Sequence, residues 1–526
     1  MSTVGMATAS PSSAPTEVIS RRKVLVQALL LGALCRALCA CISLSFHGRD
    51  DYFHVLQPAL LWLENPNFDW QHSGLPGAGY RSLLLPRLVY GLLLGLRAMG
   101  IESPTATLRG LYLAMGTYSL LVIPALYSAG ARLFDAQTAR RAAFLGAVFF
   151  PLPYAGTRLL IEGLAMPPLV YSLALCASRR GRSLFFAGLS MGLACWWRLQ
   201  VLTAALGALV GLAVQVRRGT HSARTRLGFV WGLGAAALLQ GGFDWLSMGQ
   251  PFAPLWQNIQ INLHPDATLS RSAPWGYLAA LLALTLPPLT VWLLPGMLKA
   301  VRQAPPLGYA LGCFLLFHSL VPHKEDRFLL PVVPLMALLM AAVPMMLRVA
   351  WAPPWERLRR WTVDTWPVAQ GLGMGMGGLA LLLALTSQSQ QNLRDTMEAL
   401  HHDAGAQGIV SLGPEVQEFF AGRALQFRHS AHPTEQWLLR SLAELQAVGA
   451  TPNRFIAYRS DRLQTELWLR LIGFSCAPPQ RLDGWWFDRL LCRLNPRRNR
   501  RREPTFVYRC EPPKVEVAQL GAHADT

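Results

Sequence analysis

The chain has 526 residues, 52% of them hydrophobic and only 15% charged, with a formal net charge of +19. Soluble domains carry about a quarter charged residues, so the composition excludes an ordinary soluble enzyme and marks a polytopic membrane protein. The positive charge does not mark a nucleic-acid binder, because it gathers in short breaks between apolar runs: 21–23, 178–182, 216–226 and 348–361. That placement is the positive-inside pattern of cytoplasmic loops.

Residues 1–20, rich in Ser, Thr and Ala, read as a disordered tail. The RRK break and the apolar run 24–46 follow, and together they resemble an uncleaved anchor more than a signal peptide, whose apolar core is shorter. A lipid-modified Cys35 is not expected, because Leu34 stands where a small residue is needed. Further apolar runs at 83–99, 107–127, 142–157, 160–178, 184–200, 201–216, 227–246, 275–297, 307–321, 328–349 and 367–386 come near the roughly 20 residues of a spanning helix. Placing each basic break inside puts 47–82, 247–273 and 322–327 outside, and the last run delivers 387–526 outside as well. Loop parity then makes 83–99 re-entrant or interfacial, unless a neighbouring span is misplaced.

From residue 387 on, apolar runs shorten. GIVSLG (408–413) and RFIAYRS (454–460) read as strands, and TEQWLLRSLAELQAVG (434–449) as an amphipathic helix. A small α/β domain is expected there, with no catalytic signature. Cys35, Cys39, Cys41, Cys176, Cys195 and Cys313 lie in apolar runs, whereas Cys476, Cys492 and Cys510 lie in the polar region. Two of the last three can pair if they face an oxidising compartment.

Four charged clusters share the predicted outer side. HGRDDYFH (47–54) leaves the first span displaying Asp50 and Asp51, with His54 close by. Adjacent side chains point in different directions, so one acid can face a site while the other faces solvent or a cation. GTRLLIEGLAM (156–166) sets Arg158 and Glu162 four apart, an ion-pair candidate on one helix face. Arg198 in LACWWRLQ, like Arg36 in the first span, is an intramembrane ion that defaults to a functional hypothesis; a structural pairing with a buried acid such as Asp244 is the alternative. FHSLVPHKEDRFLLPVVPL (317–335) crowds His318, His323, Lys324, Glu325, Asp326 and Arg327 between two spans. Lys, Arg and His together suit a phosphate, and Pro331 and Pro334 interrupt helix bonding at that rim.

These stretches resemble the Alg9/PIG-B type of mannosyltransferase, glycosyltransferase family 22 of the GT-C superfamily. HKEDRFLLPVVPL is similar to the family's HKExRFxxPxxP motif through His323, Lys324, Glu325, Arg327, Phe328, Pro331 and Pro334. HGRDDYFH resembles the first-loop HPDExFQ motif, with one extra residue after His47, Asp for the second acid and His54 where Gln is usual. GTRLLIE resembles TRTLSNxxE through Thr157, Arg158 and Leu160, with Glu162 earlier than the family's Glu. Tyr80-Arg81-Ser82 is similar to the Arg-Ser step that opens the second span, and Asp244 to the Asp after a later one. The likeness covers about residues 24–350.

The resemblance implies an α-helical polytopic membrane protein of GT-C type with about 11–13 transmembrane helices and a small C-terminal soluble α/β domain. The expected divisions are a cytoplasmic tail (1–22), a transmembrane catalytic domain (23–386) and a non-cytoplasmic soluble domain (387–526). It further implies transfer of mannose, with inversion, from a polyprenyl-phosphate-linked donor to a glycan or glycolipid hydroxyl outside the cytoplasm. Asp50 or Asp51 would be the base. His323, Lys324, Arg327 and Arg198 would receive the donor phosphate, and His54, Arg81, Arg158, Glu162, Asp244 and Glu325 would bind substrate or support. No DxD motif or Gly-rich phosphate loop occurs, so neither a metal nor another cofactor is expected. The favoured setting is a bacterial inner membrane with the site facing periplasm; an endoplasmic reticulum membrane facing lumen is the alternative. A lipid-linked-sugar transporter, or a polymerase or ligase for surface polysaccharide, is the competing reading. Internal repeats, expected of a transporter, are not visible.

Overall fold

The computed structural model describes residues 14–44, 46–47, 51–73, 78–79, 81–219, 222–263, 273–321, 323–414, 418–421, 425–496 and 499–513. They fall into two compact units. The first holds the chain up to Ala40, Asn67–Arg87 and Tyr112–Leu385; the second holds Cys41–Pro66, Leu88–Leu111 and the chain from Thr386 on.

The first unit is helical. Among the described residues, five helices are long and apolar enough to cross a membrane: Arg21–Ile42, Pro104–Leu133, Leu199–Arg217, Asp326–Arg348 and Trp366–Leu385. Ile161–Leu175 and Pro305–Leu320 are shorter apolar helices. Trp366–Leu385 buries only Ala369 and leaves Val368, Met374, Leu379 and Leu382 exposed. A helix apolar on every side and only partly covered by protein is at home against lipid. Two expected spans are broken. The 275–297 run divides into Gly276–Leu284 and Thr290–Gln303, with Pro287 and Pro288 in the gap. The 142–157 run divides into Ala136–Val148 and Pro151–Thr157. In both places a proline that lacks an N–H cannot continue the ladder of the helix before it. Leu84–Ala98 has 15 residues, a length of about 22 Å at the standard rise, short of the ~30 Å hydrocarbon core.

Small residues set how closely these helices approach. Gly181–Trp197 crosses Ala223–Met248 where a Cβ on Gly188 would lie 1.9 Å from the Phe229 carbonyl oxygen, and one on Gly232 1.9 Å from that of Phe185. Neither position has room for a side chain, so the two backbones touch, as in small-residue packing of membrane helices. This contact fixes the C-terminal end of Gly181–Trp197, from which Arg198 emerges. Arg36 serves the same cohesion. Its Nε donates to Ser119 Oγ at 2.6 Å, and its other nitrogens donate to the carbonyls of Gly32 and Gly146 at 3.2 Å each. Neutral acceptors from three segments satisfy this buried cation, a structural role in place of the functional one entertained for it.

The second unit contains a mixed sheet: β1 (Gly408–Leu412), β2 (Gln426–Ser430), β3 (Pro452–Tyr458), β4 (Ser475–Cys476), β5 (Gln480–Leu482) and β6 (Thr505–Glu511). The order is β2-β1-β3-β6-β4, with β5 also paired to β6. β1 is parallel to β2 and β3, and β6 is antiparallel to its partners. Every residue of β1 is buried, the mark of a strand covered on both faces. Leu438, Leu442 and Leu445 of Glu435–Ala447 and Leu469 and Ile472 of Arg462–Ile472 share one core with β1 and β3. The helix 435–447 starts where expected because Thr434 Oγ1 accepts the Trp437 N–H at 3.1 Å.

Cys476 stands opposite Cys510 in the β4–β6 pair and forms a disulfide with it, while Cys492 remains a free thiol. The bridge closes a separation of 34 residues, which constrains the unfolded chain by about 3–4 kcal/mol in the chain-entropy treatment. A Cys476→Ser/Cys510→Ser variant should therefore lose thermal stability in the C-terminal unit. A melting curve unchanged from that of the unreduced wild type would remove the bridge as a stabilising element.

Candidate functional site

The junction between Pro305–Leu320 and Val333–Arg348 carries a dense group of ions. Pro305–Leu320 ends at Val321 in extended geometry, and residues 326–332 form a 3-10 turn containing Pro331 before the next helix opens with Pro334 in its first turn. The prolines keep this stretch from joining one continuous helix, so its side chains fan out. Glu325 bridges two neighbours: one carboxylate oxygen meets His323 Nε2 at 3.0 Å and the other Arg327 Nε at 2.5 Å. The Glu325 N–H donates to Tyr277 Oη at 3.2 Å. Lys324 Nζ lies 5.8 Å from the Tyr277 ring and donates to the Val321 carbonyl. His318, buried and stacked on Phe314 with ring centroids 3.9 Å apart, donates from Nδ1 to the Phe314 carbonyl at 2.7 Å.

Arg198 and Glu162 join this group from two other helices. Arg198 follows the last residue of Gly181–Trp197 in extended geometry, and its Nη1 lies 3.3 Å from Glu162 Oε1, with both side chains under 5% exposed. Its guanidinium also lies 4.5 Å over the Phe328 ring, which Arg327 approaches at 5.4 Å. The cluster thus runs from Glu162 through Arg198, Phe328 and Arg327 to Glu325, His323 and Tyr277. Arg198 and Arg327 share the Phe328 ring, and each is also held by a carboxylate, Glu162 and Glu325 respectively. Such an arrangement is preorganised for an anion, because the donors need not be gathered when it arrives.

One expectation is corrected. Arg158 and Glu162 do not pair on one helix face, because Pro151–Thr157 stops at Arg158, and Arg158 and Leu160 are extended before Ile161–Leu175 begins. Arg158 is instead fully buried between aromatic rings, 4.6 Å over Tyr112 and 4.4 Å over Tyr154. Glu162, freed from that partner, answers Arg198.

Other expected residues are placed individually. Arg81 is half-buried; its neighbour Ser82 accepts the Trp196 indole N–H at 3.4 Å, which sets this segment two residues from Arg198. Asp244 is buried in Ala223–Met248, beside Phe243, whose ring lies 5.6 Å from Trp196. Asp50 lies outside the described residues, as does Tyr80. Among the described residues, no three His, Cys, Asp or Glu side chains are grouped to hold a metal ion.

The first loop belongs to the second unit. Asp51 is buried, and its Oδ2 accepts the His47 N–H at 2.7 Å. Tyr52–Leu56 forms a π-helical turn, a geometry found often at functional sites. Phe53 stacks on His429 of β2 at 5.7 Å, and Tyr52 Oη accepts the Phe419 N–H at 3.3 Å. Burial holds the Tyr52 hydroxyl protonated well above the usual phenol range. His54, buried in the same turn, completes the segment. The acidic loop is therefore clamped onto the C-terminal α/β fold.

Sequence reasoning missed Tyr277 and the shared role of Phe328. Tyr277 lies inside an unbroken apolar run, where a tyrosine reads as membrane-interface packing; only its place just after a loop hints otherwise.

With this geometry in view, the fold is similar to that of ArnT from Cupriavidus metallidurans in the apo state, with a TM-score of 0.58, 13% identity and coverage of 94% of this chain and 98% of that one. The structure of ArnT bound to undecaprenyl phosphate gives 0.53 at 13% identity over the same shares of each chain. The archaeal oligosaccharyltransferase AglB from Archaeoglobus fulgidus, in complex with an inhibitory peptide and a dolichol-phosphate, gives 0.51 at 12% identity over 87% of this chain and 71% of that one. Apolar helices and this likeness define a multi-pass membrane protein of GT-C fold. The chain belongs to the Alg9-like mannosyltransferase family, whose profile matches residues 28–410. Comparison with curated proteins gives no match.

Proposed function

We propose that the protein transfers mannose from a polyprenyl-phosphate donor to a hydroxyl of a glycan or glycolipid, with inversion, on the non-cytoplasmic side of the membrane. The observation that carries this reading is the preorganised cluster of His323, Lys324, Arg327 and Arg198 at the rim between two apolar helices. A lipid phosphate leaving the sugar carries about one negative charge and stays attached to hydrocarbon, so cations at the end of a membrane helix suit it. Lys324 and Arg327 receive the leaving phosphate, with His323 and Arg198 in support. Glu325 orients Arg327, Glu162 orients Arg198, and Arg158, Arg81 and Asp244 shape the surrounding membrane region. Asp50 takes the acceptor proton, with Asp51 as its rival and His54 beside them. The undecaprenyl phosphate of ArnT and the dolichol-phosphate of AglB make the polyprenyl carrier the first donor class to test. The disulfide of the C-terminal unit favours an oxidising side for that region, with a bacterial periplasm preferred to an endoplasmic reticulum lumen.

The test is to supply purified protein with radiolabelled polyprenyl-phosphate sugars and a panel of glycan and glycolipid acceptors. An α-mannosylated product supports the proposal. Absence of transfer from every lipid-linked sugar, together with movement of such lipids across proteoliposomes, would replace it with a transporter.

Lys324→Ala and Arg327→Ala should raise the donor KM roughly 10- to 100-fold, the equivalent of the 1.5–3 kcal/mol of a hydrogen bond to a charged group. The acceptor KM should stay within about twofold of wild type, well under the 1.4 kcal/mol of a tenfold change. Unchanged donor kinetics in both variants would remove these cations from the phosphate site.

A further inference from the structure

We propose that the C-terminal α/β unit carries a saccharide-binding pocket of its own at the carboxyl ends of β1 and β3. The position follows from topology. β1 is followed in sequence by β2, its neighbour on one side, whereas β3, its neighbour on the other, is followed by Arg462–Ile472, which packs along β3 and β4. Two parallel neighbours whose continuations diverge open a crevice at their carboxyl ends, the place where open α/β sheets take ligands. A cavity of about 290 Å³ occupies this crevice, lined among others by Thr434, Asp461, Gln464, Trp468 and Arg500. That volume is just under the roughly 300–1,000 Å³ of drug-sized ligand sites, which suits one sugar or a linked pair.

The lining chemistry points to an uncharged polyol. Trp468 is half-buried against the core beneath it, so its indole is a fixed apolar platform for the C–H face of a pyranose. Asp461 is clamped by Arg500, whose Nη2 reaches the two carboxylate oxygens at 2.7 and 2.6 Å. Gly413 ends β1 at φ +111°, where a Cβ would sit 2.7 Å from Asp461 Oδ2, so only glycine lets the strand end close on that carboxylate. Carboxylate, amide and guanidinium are planar groups that can each meet two adjacent hydroxyls. Asp461 and Arg500 cancel in charge, and the Asp461 carboxylate would repel a phosphate. A neutral sugar therefore fits better than an anion.

This pocket is separate from the transfer chemistry and does not depend on it. It would hold a sugar of a glycan chain whichever donor the membrane unit uses. The experiment is saturation-transfer NMR on the full-length protein in detergent, with mannose, galactose, arabinose and an α-linked mannobiose as probes and inorganic phosphate as competitor. Wild type should saturate the protons of at least one saccharide. Trp468→Ala should weaken that binding tenfold or more. Gln464→Ala, at an exposed position that leaves the fold intact, should weaken it about three- to tenfold, the equivalent of one neutral hydrogen bond. Lys324→Ala should leave it unchanged. Absence of saturation for all four sugars, survival of the signal in both pocket variants, its loss in Lys324→Ala, or displacement by phosphate would each overturn the assignment.

Discussion

Asp50→Asn is expected to abolish sugar transfer in a protein that inserts and folds as wild type. Removing a positioned general base costs about 10²–10⁴-fold in rate, and asparagine cannot take up the proton of an acceptor hydroxyl. The neighbouring acid makes the test selective. Asp51 is buried and accepts the His47 N–H through Oδ2 at 2.7 Å, so Asp51→Asn keeps an acceptor oxygen for that bond and should keep the loop in place. If Asp50 is the base, Asp51→Asn retains most of its turnover while Asp50→Asn retains none. The reverse ranking would hand the role to Asp51, and full activity of both variants would end the first-loop assignment. Both should be assayed with saturating donor, so that a change in lipid binding is not mistaken for a change in chemistry.

Local chemistry was legible wherever an element is decided by its own residues. The strands at 408–413 and 454–460, the helix after Thr434 and the break at Pro331 all follow from patterns a few residues long. The ion pairing of the membrane region did not follow, for a definite reason. The spacing of Arg158 and Glu162 presumes a continuous helix, and extended backbone at Arg158 and Leu160 destroys the face they would share. Glu162 then finds Arg198, 36 positions further on, and no local pattern announces such a pair. The same holds for Tyr277 beneath Glu325, for Cys476 opposite Cys510 and for Phe53 against His429. That last contact matters most for function: residues 41–66 belong to one compact unit with the chain from Thr386 on, and Phe53 ties the first loop to β2.

Breaking the Arg198–Glu162 pair should destabilise the membrane unit by about 3–5 kcal/mol, the usual cost of stranding one buried ion. Both side chains are under 5% exposed, and the Glu162 oxygens have no hydrogen-bond partner among the described residues besides this ion pair. Glu162→Gln takes the Glu162 carboxylate away from Arg198, and Arg198→Met leaves that carboxylate without its cation; each should lower the melting temperature in detergent. The combined Glu162→Gln/Arg198→Met variant removes both charges and should recover most of that loss, because the penalty belongs to the unmatched ion and not to the missing bond. Single variants as stable as wild type would show that water or another group already satisfies these ions. The recovered double variant also separates two roles for Arg198. It lacks the guanidinium over Phe328 while keeping a folded cluster. A raised donor KM in that variant would mean that Arg198 contributes charge to the phosphate site, and a wild-type donor KM would confine it to holding Ile161–Leu175 against the end of Gly181–Trp197.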